Sequence, residues 1–290
     1  MEAIYRTFPS NDAVSFHFVY KNTKQPRDEL PDHMHDWYEL VYVYQGKGTF
    51  FIDQTFYEMR AGDLFFIPPN VIHRAFPDPS DPVTSTAVFL SPKLAREDAE
   101  APDAVPPLHC FALARTANKY RFPLSKRMRD VVASALEACD IELRDRRKGC
   151  TQLVRYGVLS LLIRLAWELE GGDSKPEPAP AHVPPWLKET LEYIDKHLQA
   201  DLRLSALCKM AAVSPSHFSR TFRQTVGMTV TDYVVAKRIA LAKNRLVHTE
   251  EQVQHIAYEC GFESLPYFHK KFKTITGYTP MVYKRLHNAK

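Results

Sequence analysis

The chain has 290 residues, of which 45% are hydrophobic and 25% are charged. These proportions indicate an ordinary soluble protein with enough apolar residues for roughly two domains. Residues 1–12 lack an apolar run, and the longest apolar stretch, residues 158–167, is short and contains Arg164. We therefore expect neither a signal peptide nor a membrane span. The five cysteines form no Cys-x2-Cys pair, which favours reduced thiols and a cytoplasmic location over a disulfide framework.

The net charge of +4 is unevenly distributed along the chain. From Trp186 onward there are 16 Lys and Arg against 9 Asp and Glu, giving +7, whereas the preceding residues carry −3. A basic C-terminal third joined to a mildly acidic front is typical of a DNA-binding domain joined to a sensor.

Up to about residue 92, the sequence predicts short β-strands. Runs of β-branched and aromatic residues are separated by turn signals rich in Gly, Pro and Asn. The predicted strands cover residues 13–20, 38–44, 48–53, 54–59, 63–67 and 83–90. Many short strands at this spacing predict a small barrel or jelly roll.

Two blocks in this region carry candidate ligand-binding residues. His33, His35 and Glu39 are spaced H-x-H-x3-E, and His73 ends a second block that begins at Gly62. On one strand, His33 and His35 point to the same face, and Glu39 joins them if the alternation continues. Three imidazoles and a carboxylate around one cavity suit a divalent metal such as Zn²⁺, Fe²⁺, Mn²⁺ or Ni²⁺.

These blocks resemble the paired motifs of the cupin fold, which also forms the sensor domain of many AraC-type regulators. The resemblance implies an effector pocket inside the barrel, lined by the same four residues. Because related sensors often keep the His and Glu positions without a metal, no cofactor is required, and a bound divalent metal is the alternative. Asn70 stands where the cupin pattern has Gly, and Asn also tolerates the left-handed turn. The aromatic residues of the barrel suit a sugar or small aromatic effector and serve equally well as core.

In the middle of the chain, the sequence predicts an irregular crossing segment at residues 91–108. Two helices are predicted after it, at residues 124–147 and 150–169. The second helix is apolar on most of its surface, so it must be buried against the barrel or against another chain. We expect homodimerisation through this helix pair, because sensors of this kind commonly pair in that way. Residues 171–185 are rich in Pro and Gly and predict an extended linker.

The last hundred residues contain one pattern twice, Phe-x3-Phe-x4-Gly-x-Thr-x3-Tyr. Phe218, Phe222, Gly227, Thr229 and Tyr233 recur fifty positions later as Phe268, Phe272, Gly277, Thr279 and Tyr283. A period of this size indicates a repeated supersecondary unit. A short amphipathic segment and a turn precede each copy, so each unit is predicted to be a helix-turn-helix.

Each position that recurs in the two copies has a physical role in the predicted unit. Phe residues four apart lie on one helix face and fill the core. Glycines at the helix ends suit a left-handed C′ residue, and Ser214 and Ser264 are placed as N-caps. Helices are also predicted at residues 186–198 and 229–247, and the latter would hold the two units about one turn of DNA (~34 Å) apart.

The outward faces of the two recognition helices are polar and basic, as needed for a DNA major groove. The candidate DNA contacts are Ser216, His217, Ser219, Arg220 and Arg223 in the first unit and Tyr267, His269, Lys270 and Lys273 in the second. Arg220 is the strongest candidate for a bidentate contact to guanine. The second unit is predicted to contact mainly phosphates.

At these residues the chain resembles the DNA-binding domain of the AraC/XylS family of bacterial transcription regulators. The matching strings are SPSHFSRTFR from Ser214 and IAYECGFESLPYFHKKFK from Ile256. Carried over position by position, the resemblance implies base contacts at Ser216, Ser219 and Arg220. In the second unit it implies contacts from Pro266, Tyr267, His269 and Lys270.

The sequence therefore predicts an α+β multidomain chain. Its parts are a cupin-like jelly-roll sensor (1–110), a helical dimerisation hairpin (111–170), a linker (171–185) and a double helix-turn-helix domain (186–290). We expect a sequence-specific transcription regulator, an activator rather than an enzyme, controlled by a sugar or similar effector. Its expected partners are double-stranded DNA, the effector, a second copy of the chain and RNA polymerase, with no membrane. The alternatives are an effector-independent regulator, a metal sensor and a metal-dependent cupin enzyme fused to a DNA-binding domain.

Overall fold

The computed structural model describes residues 4–5, 16–23, 33–96, 104–170 and 183–288. Most of the predicted linker, residues 171–182, lies outside the described residues, as do residues 13–15 of the first predicted strand. The buried apolar side chains form two clusters, one centred on the N-terminal barrel and its helices and one on the C-terminal helices.

Ten strands form two five-stranded sheets in the described part of the N-terminal region. They are β1 (Ile4–Tyr5), β2 (Phe16–Thr23), β3 (His33–Met34), β4 (Tyr38–Gln45), β5 (Gly48–Ile52), β6 (Thr55–Met59), β7 (Asp63–Ile67), β8 (His73–Pro77), β9 (Thr84–Leu90) and β10 (Arg121–Pro123). The first sheet has the order β1-β3-β8-β5-β6 and the second has the order β10-β7-β4-β9-β2.

The two sheets face each other across an apolar core. Phe50 of the first sheet lies against Phe65 of the second, with ring centroids 5.0 Å apart. Neighbouring strands are antiparallel except β1 and β3. This arrangement confirms the predicted jelly-roll class.

The predicted strands are present, with ends that shift by up to three residues in the described part. The predicted strands did not include β1, β3, β8 and β10. β8 reads HRAFP and β10 reads RFP, so neither has the apolar alternation that marks a strand. Both are held by pairing with neighbouring strands, β5 and β7 respectively.

The helical pair begins well after residue 111, the predicted start of the helical domain. A helix that was not predicted, α1 (His109–Thr116), precedes β10, and β10 pairs with β7 of the barrel. The barrel therefore continues past residue 110, and the predicted boundary is too early. The pair itself is α2 (Lys126–Asp145) and α3 (Cys150–Glu170). Of the predicted irregular crossing, residues 97–103 lie outside the described residues, and Pro92–Arg96 form a short 3-10 helix.

The C-terminal domain consists of helices packed around the repeated Phe and Tyr residues. They are α4 (Pro185–Lys196), α5 (Leu204–Ala211), α6 (Pro215–Val226), α7 (Val230–His248), α8 (Val253–Glu259), α9 (Leu265–Thr276) and α10 (Pro280–Asn288). Val183 and Pro184 already belong to this domain, as buried core and N-cap, so the predicted linker ends too late. None of the described helices has the length and apolar character needed to cross a membrane.

The predicted caps are confirmed. The hydroxyls of Ser214 and Ser264 accept hydrogen bonds from the backbone N–H groups of His217 and Tyr267. The two helices end at Gly227 and Gly277, which have φ of 98° and 78°. Both units therefore begin and end their recognition helix by the same physical means.

Candidate DNA-binding surface and sensor site

The first recognition helix, α6, presents its predicted contact residues to solvent. Phe218 and Phe222 are fully buried under the helix, which turns the opposite face outward. That face carries Ser216, His217, Ser219, Arg220 and Arg223, all exposed. The His217 ring lies 6.0 Å from the Trp186 ring of α4. The remaining polar groups are available to a DNA groove.

The second recognition helix, α9, presents a different set. Lys270 and Lys273 are exposed, whereas His269 is half-buried beside Phe268. The exposed Tyr267 ring lies near Phe262, and the Lys271 ammonium lies 5.9 Å from the Tyr267 ring centroid. This face offers fewer groups that distinguish bases and more cations that bind phosphate.

Two residues that the sequence reasoning missed bind the loop after α4 to the rest of the domain. Arg238 of α7 donates to the carbonyls of Leu198 and Ala200 at 2.9 and 3.1 Å. Gln199 donates to the Glu259 carbonyl of the second unit at 2.8 Å. These bonds tie the loop after α4 to the connecting helix α7 and to the second unit, and so help to hold the second unit in place.

Gly261, in the turn of the second unit, allows this close approach. Its φ is 86°, and a Cβ at this position would lie 2.3 Å from the Leu198 carbonyl oxygen. The turn therefore needs glycine both for its backbone conformation and for the space.

In the N-terminal domain, His33, His35, Glu39 and His73 come together as predicted. Their candidate ligand atoms all lie within 4.8 Å of one another, and the four side chains are buried inside the barrel. His33 lies opposite His73 in the β3–β8 pair. The continuous alternation expected from His33 to Glu39 is wrong, because the chain bends after His35 and Glu39 lies on β4 of the other sheet. The cluster therefore spans the two sheets.

The protons of two imidazoles are fixed by backbone carbonyls. His35 Nδ1–H donates to Trp37 O at 2.8 Å and His73 Nδ1–H donates to Val71 O at 2.9 Å. In the neutral rings this leaves a lone pair on each Nε2. The Nε2 atoms of His35 and His73 lie 3.1 and 2.9 Å from the same carboxylate oxygen, Glu39 Oε2.

Two lone pairs and a carboxylate oxygen at these distances attract one another only through a proton or a cation. Burial lowers the pKa of His35, which favours the neutral ring. Burial alone would raise the pKa of Glu39, but the neighbouring His35 and His73 hold it well below its usual range. His73 Nε2 is buried and lacks a partner with hydrogen-bond geometry among the described residues. These nitrogen and oxygen ligand atoms fit a divalent cation. The hydrogen bonds from Nδ1 to the carbonyls would orient the ligating rings.

Comparisons with known proteins decide the family. A family model described as an AraC-like ligand binding domain matches residues 15–139, and one described as a helix-turn-helix domain matches residues 207–286. Together the two matches cover most of the chain. The chain belongs to the AraC family.

The relatives of this AraC-family chain are similar over nearly its full length. The HTH-type transcriptional activator RhaR of Escherichia coli strain K12 and that of Shigella boydii are each 24% identical over 267 residues, which is 92% of this chain and 91% of theirs. Among solved structures, ToxT from Vibrio cholerae O395 is 13% identical over 95% of this chain and 99% of its own, with a TM-score of 0.37. The C-terminal domain of AraT from Geobacillus stearothermophilus is 30% identical over 37% of this chain and 88% of its own, with a TM-score of 0.35.

The family membership confirms the two-part prediction made from the sequence. The chain is a DNA-binding transcription regulator with an N-terminal ligand-binding domain and a C-terminal helix-turn-helix domain. The individual DNA-contacting and effector-binding residues remain predictions, which the geometry above makes specific.

Proposed function

We propose that this AraC-family regulator is an activator that binds its promoter as a homodimer in the bacterial cytoplasm, contacts RNA polymerase there, and responds to a small effector. The observation that carries the proposal is the pair of recognition helices. Their apolar faces are buried and their polar faces are exposed, on a domain whose two units share one apolar core. The activator role is supported by the similarity to RhaR, which is named a transcriptional activator.

The direct test is DNA selection from a random pool by the full chain, followed by a reporter assay on the selected sequence. Transcription that rises with the chain present supports activation. Repression, or the absence of any selected sequence, contradicts the proposal. An Arg223→Gln variant should weaken binding to selected DNA, whereas Arg144→Gln, an exposed arginine on α2, is the matched control and should not.

A second copy of the chain is the proposed occupant of the outer face of α3. Leu153, Tyr156, Ser160, Ile163 and Trp167 follow one another at alternating spacings of three and four, as in a coiled-coil seam. Leu153, Tyr156 and Trp167 are 57%, 55% and 62% exposed. Large apolar side chains arranged in one exposed stripe mark an association surface.

Sedimentation of two variants tests this surface. Leu153→Asp should convert a dimer to a monomer, because it places a charge in the apolar contact. Met281→Asp changes an equally exposed apolar residue on α10 and should leave the dimer intact. A wild-type chain that sediments as a monomer at micromolar concentration would refute the dimer.

The proposed effector is a sugar or similar polar molecule. A cavity at one end of the barrel, not the site predicted at His33, His35, Glu39 and His73, has a suitable size. It has a volume of about 710 Å³, within the range of small-molecule sites. Its lining includes the cations Lys47 and Arg60, the acids Asp78 and Asp81 and the ring of Phe76. Carboxylates beside an aromatic ring can bind sugar hydroxyls and pack on a sugar face. A thermal-shift screen of sugars with wild type and Phe76→Ala tests the site, and equal shifts in both would exclude it.

The enclosed His and Glu cluster favours a second candidate function, a metal-responsive regulator. Three imidazoles and one carboxylate would hold a divalent ion through His33, His35, Glu39 and His73, and the bound ion would supply positive charge that neutralises Glu39. Metal analysis of untagged protein tests this. Wild type and His255→Ala, which alters an exposed histidine on α8, should carry one ion per chain, and His33→Ala/His35→Ala should carry none. An ion-free wild type grown and purified with added metal would exclude this candidate.

The regulator is proposed not to be an enzyme, since the relatives that it matches are transcription regulators. A metal-dependent cupin enzyme joined to a DNA-binding domain is the rival. Oxygen uptake by the metal-loaded chain with small organic substrates would support that rival.

A further inference from the structure

The first sheet of the barrel has two functional faces. Its inner face carries His33 on β3 and His73 on β8. The alternate residues Met34 and Ile72 point the other way, and both are buried in the apolar core of the C-terminal domain together with Phe51 and Phe56. The cluster and the DNA-binding domain therefore lie on opposite faces of the same strands.

One polar contact joins the β5–β6 turn to the DNA-binding domain. Asp53, which adopts a left-handed conformation with φ of 62°, accepts a hydrogen bond from the Tyr233 hydroxyl at its carbonyl, at 2.9 Å. Its carboxylate accepts from the Lys237 ammonium, which also binds Asp195 of α4. Tyr233 and Lys237 lie one turn apart on α7, so both side chains reach Asp53 from one face of this helix.

A second polar contact lies further along α7. The Lys243 side chain is only 1% exposed, and its ammonium donates to Asp36 Oδ1 at 2.6 Å and to Asn70 Oδ1. It also lies 5.4 Å from the ring centroid of Tyr283, the counterpart of Tyr233 in the second unit. Tyr233 therefore bonds the barrel directly, and Tyr283 lies beside the ammonium that does so.

The barrel residues in these contacts are tied directly to the cluster. Asp36 follows His35 in sequence, and Asn70 N–H donates to the His35 carbonyl at 2.8 Å. Asp53 N–H donates to the carbonyl of Ile72, the residue before His73, at 2.7 Å. One backbone hydrogen bond therefore separates His35, and the residue before His73, from the groups that hold α7.

We propose that Asp36, Asn70 and Asp53 form a latch on α7, through which the state of the His and Glu cluster sets the position of the DNA-binding domain. The inference deepens the proposed sensor role of the cluster and rests on it. In the latched arrangement the outward residues of α6 remain exposed. The latch therefore controls where the reading surface is held and does not cover it. In a dimer, this position decides whether two DNA-binding domains fit one promoter.

Amide hydrogen exchange on the full chain tests the latch. Lys243→Met removes the ammonium at nearly constant length and should raise exchange in α7 and at residues 34–36 by at least about tenfold, because the interface opens more often. Arg245→Met is the matched control on the same helix. Arg245 binds Glu251 within the DNA-binding domain at 2.8 and 2.9 Å, so its loss should leave residues 34–36 unchanged.

The coupling to the cluster is tested by a double-mutant cycle with the same readout. Glu39→Gln changes the cluster without touching α7, and it should alter α7 exchange by at least about threefold in the wild-type background. In the Lys243→Met background, which removes the Asp36 and Asn70 contacts, it should have no further effect on exchange in the part of α7 around residue 243. Additive effects, or no effect of Glu39→Gln on α7, would overturn the proposal.

Replacement variants and a parallel DNA-binding measurement complete the experiment. If Glu39→Gln does not fold, as judged by circular dichroism, His33→Gln replaces it, and if Lys243→Met does not fold, Asp53→Asn replaces it. Binding to DNA selected by the wild-type chain is measured in parallel. If Glu39→Gln leaves exchange in α7 unchanged while the chain still binds DNA, only the latch is refuted. A wild-type chain that selects no DNA refutes the proposed regulator.

Discussion

The two helix-turn-helix units have the same interior and different exteriors. Phe218 and Phe222 in the first and Phe268 and Phe272 in the second are all fully buried. The exposed positions share little, since Ser and Arg residues in the first unit are replaced by Tyr, His and Lys in the second. Packing fixes the repeated positions, because any change there leaves a cavity. The exposed positions do not have to fill a core, so the two units can carry different residues there.

The largest expected effect tests the equality of the interiors. Phe222→Ala and Phe272→Ala should each destabilise the C-terminal domain by about 3–5 kcal/mol, because each removes a fully buried ring. Urea denaturation followed by circular dichroism measures both. A cost below about 1 kcal/mol for one of them would show that the two cores are not equivalent.

The next effect tests the difference between the exteriors. Arg220→Ala should cost roughly 1–3 kcal/mol on the DNA that the chain selects and should relax the preference at one base pair. Binding to selected and scrambled duplexes at fixed salt measures this. Equal losses on the two duplexes would contradict base reading by Arg220.

A backbone effect of about 1 kcal/mol is expected at the end of the second recognition helix. Gly277 has φ of 78°, and a Cβ at this position would meet no atom within 4 Å. Gly277→Ala should therefore destabilise only through the left-handed backbone, as measured by thermal unfolding. Gly277→Asn is the control and should cost less, because Asn tolerates this conformation.

Lys270→Ala should have a smaller and sequence-independent effect. A lysine that binds phosphate contributes to all duplexes alike, so its loss should lower the slope of log affinity against log salt by about 1. Titrations at several salt concentrations on selected and scrambled DNA measure the slope. A loss confined to selected DNA would instead make Lys270 a base-reading residue.

The smallest effect concerns pH and the contact between domains. Burial lowers the pKa of Lys237, but Asp53, Tyr233 and Asp195 outweigh it, so the pKa is raised above its ordinary value of 10.5. A raised lysine pKa contributes stability that is present below pH 10.5 and is lost only as pH rises through the folded value. Small-angle X-ray scattering should therefore show unchanged dimensions from neutral pH to about pH 10. Because burial lowers the pKa of Lys243 at the second contact, the same series is run on Lys243→Met, and an expansion that persists in this variant would contradict the raised pKa of Lys237.

The sequence was sufficient where function depends on regular spacing. The fifty-residue repeat predicted both units with their caps, and H-x-H-x3-E with His73 predicted the cluster. It was insufficient where short strands depend on their neighbours, as at β8 and β10. The alternation rule also misplaced Glu39, since the chain bends between two sheets.

Contacts between the domains were beyond sequence reasoning for a different reason. Lys243 was indistinguishable from a solvated helix residue, because its partners Asp36 and Asn70 lie 207 and 173 positions away. Asp53 was predicted only as the last residue of a strand, at residues 48–53. Only the fold shows that these polar groups lie together and are buried.

The measurement that tests the account most directly is selection of random DNA by the full wild-type chain and by Arg220→Ala, followed by sequencing. The wild type should enrich a site with two parts about 10 base pairs apart, one sharply defined and one degenerate, because one unit reads bases and the other binds mainly phosphates. Arg220→Ala should lose the definition at one position of the sharp part. No enrichment by the wild type, or an identical site from both proteins, would contradict the account.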